Sequence, residues 1–329
     1  MITMRRCFLC SAAMLGAGER TLDYPQGRRS FPLACGSCGV LLDRDADPAA
    51  CRDHLARRCE APVFESDPQA PYGLDLYTLR SAATRFGLGI RPLDPAGEAE
   101  LRHPHATRAA RAALSRLEEA GTRPVSLGLI CRPAECEALL AALPAIATFS
   151  DDVVLLLDGP PSPPEAVAAE GLAPGAVRVA SRPLDGDFAA QRNALHDLAR
   201  HGWMLQLDAD ETLDPATARL LPALAALAEA GDVVSVGLAR RNRVEGVLSD
   251  VFPDVQYRLN RRTVRYGGRV HERPLLDGGW PRSLIALHGA IDHAMSGAHV
   301  RARSRRYEAL APGQGRVEEE EALLRAYEA

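Results

Sequence analysis

Lysine is absent from this sequence; all 39 of its basic residues are arginine. With the abundance of Ala, Pro and Gly, this marks a compositional bias, so an isolated arginine carries little functional signal. The 43 acidic residues leave a net charge of −4, which lacks the basic excess of a general nucleic-acid binder, and no nucleic-acid partner is expected. Long apolar runs are missing too. None reaches the roughly 18–20 residues that span a bilayer, and the longest, around 137–149 and 216–230, are broken by Pro144 and Pro222. The opening MITMRRCFLCSAAMLGAG is basic and then mildly apolar. A Cys-x2-Cys pair interrupts it, so it reads as mature structure and not as a signal peptide, and the expected location is cytoplasmic. There is no internal repeat, and no GxGxG-type loop follows a predicted strand, which removes a methyltransferase from consideration.

What remains is an ordinary globular composition, 47% hydrophobic and 25% charged over 329 residues, enough chain for two domains with a sizeable core. Six of the eight cysteines fall in the first 59 residues and define an N-terminal module, 1–62. Residues 63–124 read as a linker or helical connector, with a short helix near 75–86 and an Arg/Ala-rich helix over 105–120. From Val125 short apolar runs alternate with Ala/Leu-rich helical segments. Strands are predicted at 125–130, 151–159, 176–180, 203–208 and 233–239. Helices are predicted at 134–143, ending before Pro144, at 188–201, and at 215–230 before Gly231. This rhythm predicts an α/β domain with a mostly parallel, covered sheet over 125–310. Residues 311–329 form a charged tail, helical or disordered.

Cys7-x2-Cys10 and Cys35-x2-Cys38 are separated by 24 residues. Each pair places two thiolates on one tight turn, and two facing turns make a closed four-cysteine site for a structural zinc ion. Gly36 and Gly39 suit such turns. Residues 1–60 hold too few apolar side chains to fold without a staple. Cys51-x2-His54-x4-Cys59 offers three further ligands and lacks a fourth. Cys131 and Cys136 read as ordinary core or near-core residues.

The sharpest chemistry lies at Asp208-Ala209-Asp210-Glu211, where a strand runs out into three carboxylates. Residues two apart on a strand point the same way, so Asp208 and Asp210 aim at one point. Small carboxylates meeting there suit a Mg2+ or Mn2+ ion shared with a diphosphate.

The surrounding motifs resemble the inverting family 2 glycosyltransferases of the GT-A fold. SDDVVLLLDG (150–159), DFAAQRNAL (187–195), LDADE (207–211), YRLNRR (257–262) and YGGRVHE (266–272) follow in the family's order. The likeness runs from about Val125 to Arg306. It implies a nucleotide-diphospho-sugar transferase domain behind the zinc-ribbon-like module, with a nucleotide-sugar donor and a glycan, lipid-linked glycan or protein acceptor. It places the nucleotide contacts on Asp158 and Asp208, the metal on Asp210, and the general base on Glu272. Arg192 faces the phosphates or fixes its helix to the sheet; Asn193 bonds the sugar or holds the adjoining loop. His293 or His288 completes the metal shell. The turn after Asp158 reads DGPPSPPE where the family carries small polar residues. HVRARSRRYEAL (299–310), basic on one side, either rests on an anionic membrane surface or is a solvated closing helix. Two other functions fit the same features: a nucleotidyltransferase, disfavoured because ICRPAE lacks a glycine-rich loop, and a non-catalytic zinc-ribbon interaction protein.

Overall fold

The computed structural model describes residues 6–313, 315 and 317–328, except the side chains of residues 317 and 318. The chain divides into two compact units. The first runs to Ala120 and takes in Leu284–His288; the second comprises Gly121–Ser283 and Gly289–Glu328.

In the first unit the elements are β1 (Leu15–Tyr24), β2 (Gly27–Cys35), β3 (Leu41–Leu42), α1 (Pro48–Arg58), β4 (Val63–Glu65), β5 (Tyr72–Gly73), α2 (Leu76–Thr84), β6 (Leu88–Pro92), α3 (Pro95–Glu100) and β7 (Arg111–Arg116). They make two small sheets, ordered β1-β2-β3-β5 and β4-β7-β6. Each helix starts on an aspartate whose carboxylate accepts a first-turn N–H: Asp47 from Ala50, Asp75 from Thr78 and Asp94 from Gly97, the usual device for satisfying orphan donors. The expected connector over 63–124 is replaced by structure up to Ala120. Phe64, Leu74, Leu76, Leu79, Ala110 and Ala112 share one buried core with Phe8, Leu9, Val40 and Leu55. The Arg/Ala-rich stretch expected to be helical contains β7 instead. That strand sits between β4 and β6, and pairing on both sides outweighs the helical propensity of Ala and Arg.

The second unit holds β8 (Val125–Cys131), α4 (Cys136–Ile146), β9 (Val153–Asp158), β10 (Ser162–Val167), β11 (Val177–Arg182), α5 (Phe188–Leu198), β12 (Trp203–Asp208), β13 (Glu211–Leu213), α6 (Pro215–Ala230), β14 (Ser235–Val244), β15 (Val247–Leu248), β16 (Gln256–Arg261), β17 (Arg265–Gly267), β18 (Arg273–Leu275), β19 (Ser283–Met295), α7 (Gly297–Leu310) and α8 (Val317–Leu324). The main sheet runs β10-β11-β9-β8-β12-β16-β14-β19-β13, with β15 beside β14; within β19, Leu284–His288 belong to the first unit.

The sheet is mixed, not mostly parallel. The pairs β11–β9, β9–β8 and β8–β12 are parallel, while β10–β11, β12–β16, β16–β14 and β13–β19 are antiparallel. Parallel neighbours need a crossover of a dozen or more residues, and the helices that supply it end with α6. Beyond it β14 and β16 follow through short turns.

Two proline positions also differ from expectation. α4 continues past Pro144 to Ile146, with the proline in its last turn. The proline-rich turn becomes β10, an exposed edge strand whose Pro163 and Pro164 fall where its register with β11 is irregular, positions at which missing N–H donors are tolerated. Within the tail, Arg325 and Tyr327 are held by pairing: Tyr327 donates its N–H to Leu248 O (2.8 Å), Asp250 N–H bonds Arg325 O (2.9 Å), and the Arg325 side chain pairs with Asp250. Among the described residues no helix is long and apolar enough to cross a membrane.

Candidate active site and thiol cluster

The parallel strands β9, β8 and β12 lie side by side, so their carboxyl ends open on one rim, where α/β sheets place their ligands. Ile130, Cys131, Asp158 and Asp208 come from those ends and line a cleft of about 750 Å³. Asp158, Arg192, Asp208, Asp210, Glu272 and His293 all face it. Asn193 does not. Its amide clamps β17, donating to Tyr266 O (3.1 Å) and accepting Tyr266 N–H (2.8 Å). His288 lies in the first unit, its Nδ1 3.3 Å from Arg85 O.

Asp208, at the last position of β12, is held on both sides. Its Oδ1 accepts Arg192 Nη2 and its Oδ2 accepts Arg258 Nη2, each at 2.8 Å. Arg192 is buried on α5 and forks: Nε reaches Glu272 Oε1 at 2.5 Å while Nη1 approaches Gln206. Arg258 approaches the same Glu272 oxygen at 3.6 Å. Arg240 pairs with Glu211 (2.9 Å) and Asp254 (2.7 Å). Three guanidiniums thus face four carboxylates, Asp208, Glu211, Asp254 and Glu272. Buried charges are tolerated only when paired; Glu211 is buried and Asp208, Asp254 and Glu272 are half-buried, and the acids outnumber their partners by one. Burial accordingly pushes the Asp208 carboxyl up to about 7, with Arg192 opposing and Glu211 and Glu272 adding to it. Arg240 and Arg258 escaped the sequence reading because arginine was discounted as a bias. The available signal was a charged residue inside a strand pattern at YRLNRR. Of the other acids near this end of the sheet, Asp250 pairs with Arg325, and Asp254 is occupied by Arg240, Asn242 and Gln256.

Asp210 is freer. It sits in the turn between β12 and β13, and the register that sets Glu211 opposite His293 brings Asp210 Oδ2 to 3.2 Å from His293 Nε2. His299 Nε2, from the first turn of α7, lies 4.0 Å from the same oxygen. His293 Nδ1 is 2.7 Å from Asn242 Oδ1; with the amide oxygen so placed, Nδ1 carries the proton and Nε2 turns to Asp210. That second partner fixes the ring as metal-ligating histidines are usually fixed. Burial pushes the Asp210 carboxyl up, but His293 and His299 outweigh it and hold it below the usual carboxylate range. A carboxylate and an oriented imidazole at this spacing form either an ion pair or two of the ligands that a divalent cation could take. Asp158, which lines the cleft, accepts Leu184 N–H at 2.9 Å.

α7 forms one wall. His299, Ala302, Arg303, Arg306 and Tyr307 line the cleft, whereas Arg301 and Arg305 fall on the opposite face of the helix at 3.6 residues per turn. The basic segment therefore has two sides with different surroundings.

In the first unit Cys7, Cys10, Cys35 and Cys38 are all buried, with their sulfurs within 4.8 Å of one another. Two of the pairs stand 3.6 Å apart. Tetrahedral Zn–S bonds of about 2.3 Å require S–S separations near ~3.8 Å, so the four residues fit a zinc ion. Two tight turns carry them. Cys7 O accepts Ser11 N–H and Cys35 O accepts Gly39 N–H, both at 2.9 Å, and Gly39 has φ +84°, a conformation natural to glycine. The other three candidate ligands separate: Cys51 and Cys59 are buried, while His54 Nδ1 meets Tyr72 OH at 2.9 Å and Nε2 meets Asp67 at 3.2 Å. Among the described residues only the four-cysteine set gathers metal-ligating groups this closely.

No protein-family model matches the chain, and no curated protein does. Among solved structures it is similar to S. aureus TarS, at 10% identity and a TM-score of 0.31, over 60% of this chain and 42% of that one. Against residues 1–349 of TarS the TM-score is 0.32 at 10% identity, covering 60% and 69%. The chain therefore spans less than half of the longer TarS chain, and scores this low do not establish a common fold.

Proposed function

We propose that the second unit is a metal-dependent inverting glycosyltransferase of GT-A type, moving a sugar from a nucleotide-sugar donor to a glycan, lipid-linked glycan or protein acceptor. The observation that carries this reading is the meeting, in one cleft at the strand ends, of a free Asp210–His293 pair with a separate, arginine-held Glu272. Such a transfer needs these two functions apart: one neutralises the departing diphosphate, the other takes a proton from the acceptor.

In this reading Asp210 and His293 would hold Mg2+ or Mn2+, and the ion would offset charge on the leaving nucleoside diphosphate. Asp158 would accept a hydrogen bond from the base or ribose. Asp208, clasped by Arg192 and Arg258, fixes the turn that presents Asp210 and touches the nucleotide from its exposed side. Glu272 acts as general base while Arg192 fixes its orientation. Zinc at the four cysteines would be structural, since four thiolates leave no position for substrate. Hydrolysis or transfer assays over a panel of nucleotide sugars with Mn2+ test the reading. Turnover that requires both the metal and Asp210 is the expected result. Nucleotide-sugar synthesis from a sugar phosphate would make the protein a nucleotidyltransferase, and absence of any nucleotide binding would make it a non-catalytic module.

A further inference from the structure

The cleft contains more positive charge than the donor reading uses. Arg192, Arg240 and Arg258 are paired with Asp208, Glu272, Glu211 and Asp254, but Arg273, Arg303 and Arg306 also line the cleft. Among the described side chains, no carboxylate lies within salt-bridge distance of these three. Arg303 rests 5.8 Å from the Tyr307 ring centroid and Arg306 5.9 Å from that of Phe188. Aromatic faces hold guanidiniums in place without neutralising them, and their fork donors stay available.

Their location points to one side of the reaction. Arg273 directly follows Glu272, and the His271 ring meets Tyr307 edge-on at 5.1 Å. His299, beside Asp210, lies eight residues earlier on the same helix, about 12 Å along its axis at 1.5 Å per residue. One end of α7 therefore stands at the proposed donor metal and the other at the proposed base. Arg273 adjoins the proposed base in the chain, Arg306 is next to Tyr307 on the helix, and Arg303 stands one turn from both His299 and Tyr307.

We propose that Arg303, Arg306 and Arg273 form an oxyanion subsite for the acceptor, which therefore carries a phosphate or carboxylate group near its attacking hydroxyl. This deepens the transferase reading and rests on Glu272 marking the acceptor side. Phosphate is the better fit, because its oxygens can take several guanidinium forks at once.

The test is calorimetric titration of the full-length protein with inorganic phosphate and, separately, acetate, without and with saturating Mg2+–pyrophosphate to occupy the donor phosphate position. The wild type is expected to bind phosphate, and acetate more weakly, whether or not pyrophosphate is present. Arg303→Gln/Arg306→Gln should lose at least tenfold in phosphate affinity. Arg301→Gln/Arg305→Gln, on the opposite face, should stay within twofold, and melting curves check that both variants fold. Equal losses in the two double variants, or no loss in either, overturn the subsite. Competition between phosphate and pyrophosphate assigns the arginines to the donor diphosphate and overturns the acceptor assignment. Acetate binding as tight as phosphate assigns a carboxylate acceptor. None of these readouts needs turnover, so failure to find a donor sugar leaves the result interpretable.

Discussion

α5 carries Arg192 into the cleft, and one turn later His196 fixes the same helix to the loop before β17, its Nδ1 2.7 Å from Val264 O. The ring is 1% exposed, and its Nε2 has no hydrogen-bond partner. Nδ1 therefore carries the proton in the neutral ring, and a second proton on Nε2 would be buried without an acceptor. Burial, reinforced by Arg265 and Arg192, lowers its pKa to about 4, against an ordinary 6.5. Above pH 6.5 both the folded and unfolded states are neutral at this position, and stability does not depend on it. Between 6.5 and about 4 the unfolded chain accepts a proton that the fold refuses, so stability falls with pH at up to about 1.4 kcal/mol per unit. The full loss, a gap of about 2.5 units, is about 3 kcal/mol, and below pH 4 the dependence stops. His196→Asn keeps a donor for Val264 O and removes the titration. It should be less stable than the wild type at pH 7, because it leaves a cavity. The gap should then shrink by about 3 kcal/mol as pH falls to 4. Urea titrations followed by tryptophan fluorescence measure this cleanly, because both tryptophans, Trp203 and Trp280, belong to the second unit. A gap that stays constant from pH 7 to 4 would refute the reasoning.

Glu272→Gln should bind nucleotide sugar normally yet lose on the order of 10²–10⁴-fold in turnover; loss of donor binding instead would give Glu272 a structural role through Arg192. Asp210→Ala should abolish Mn2+-dependent nucleoside-diphosphate binding in calorimetry, and unchanged binding would remove Asp210 from the metal site. Metal analysis of protein purified under reducing, chelator-free conditions should give one zinc per chain. Cys35→Ser should melt the first unit at lower temperature while leaving the tryptophan-reported transition in place, and a zinc content near zero in the wild type would end that assignment.

The motifs that the sequence displayed clearly were those set by local chemistry. Cys7, Cys10, Cys35 and Cys38 come together because each pair sits on a turn that its neighbours encode, and Asp158 and Asp208 end strands whose apolar runs are unmistakable. What was hidden depends on partners far along the chain. Arg111–Arg116 reads as helix until β4 and β6 flank it, and the sheet's antiparallel half is invisible to a rhythm that only registers helices between strands. Arg240 and Arg258 gain meaning only once β14 and β16 set them beside Glu211, Asp254 and Asp208. The proposed roles of Asp158, Asp208, Asp210 and Glu272 rested on motif order; the structure adds which of them is free and which is tied down.

The prolines of β10 have a consequence outside the cleft. A sheet's last strand ordinarily offers its outer row of N–H and C=O groups to any passing extended chain, and that is how edge-to-edge aggregation begins. Here the outermost strand is Ser-Pro-Pro-Glu-Ala-Val, exposed for nearly all its length and irregular in register between Ser162 and Glu165. Pro163 and Pro164 have no N–H to give, and Glu165 sets a charge next to them. An incoming strand would find a broken ladder and a repelling carboxylate. That side of the sheet therefore makes a poor template for an incoming strand, which disfavours polymerisation of crowded copies through it.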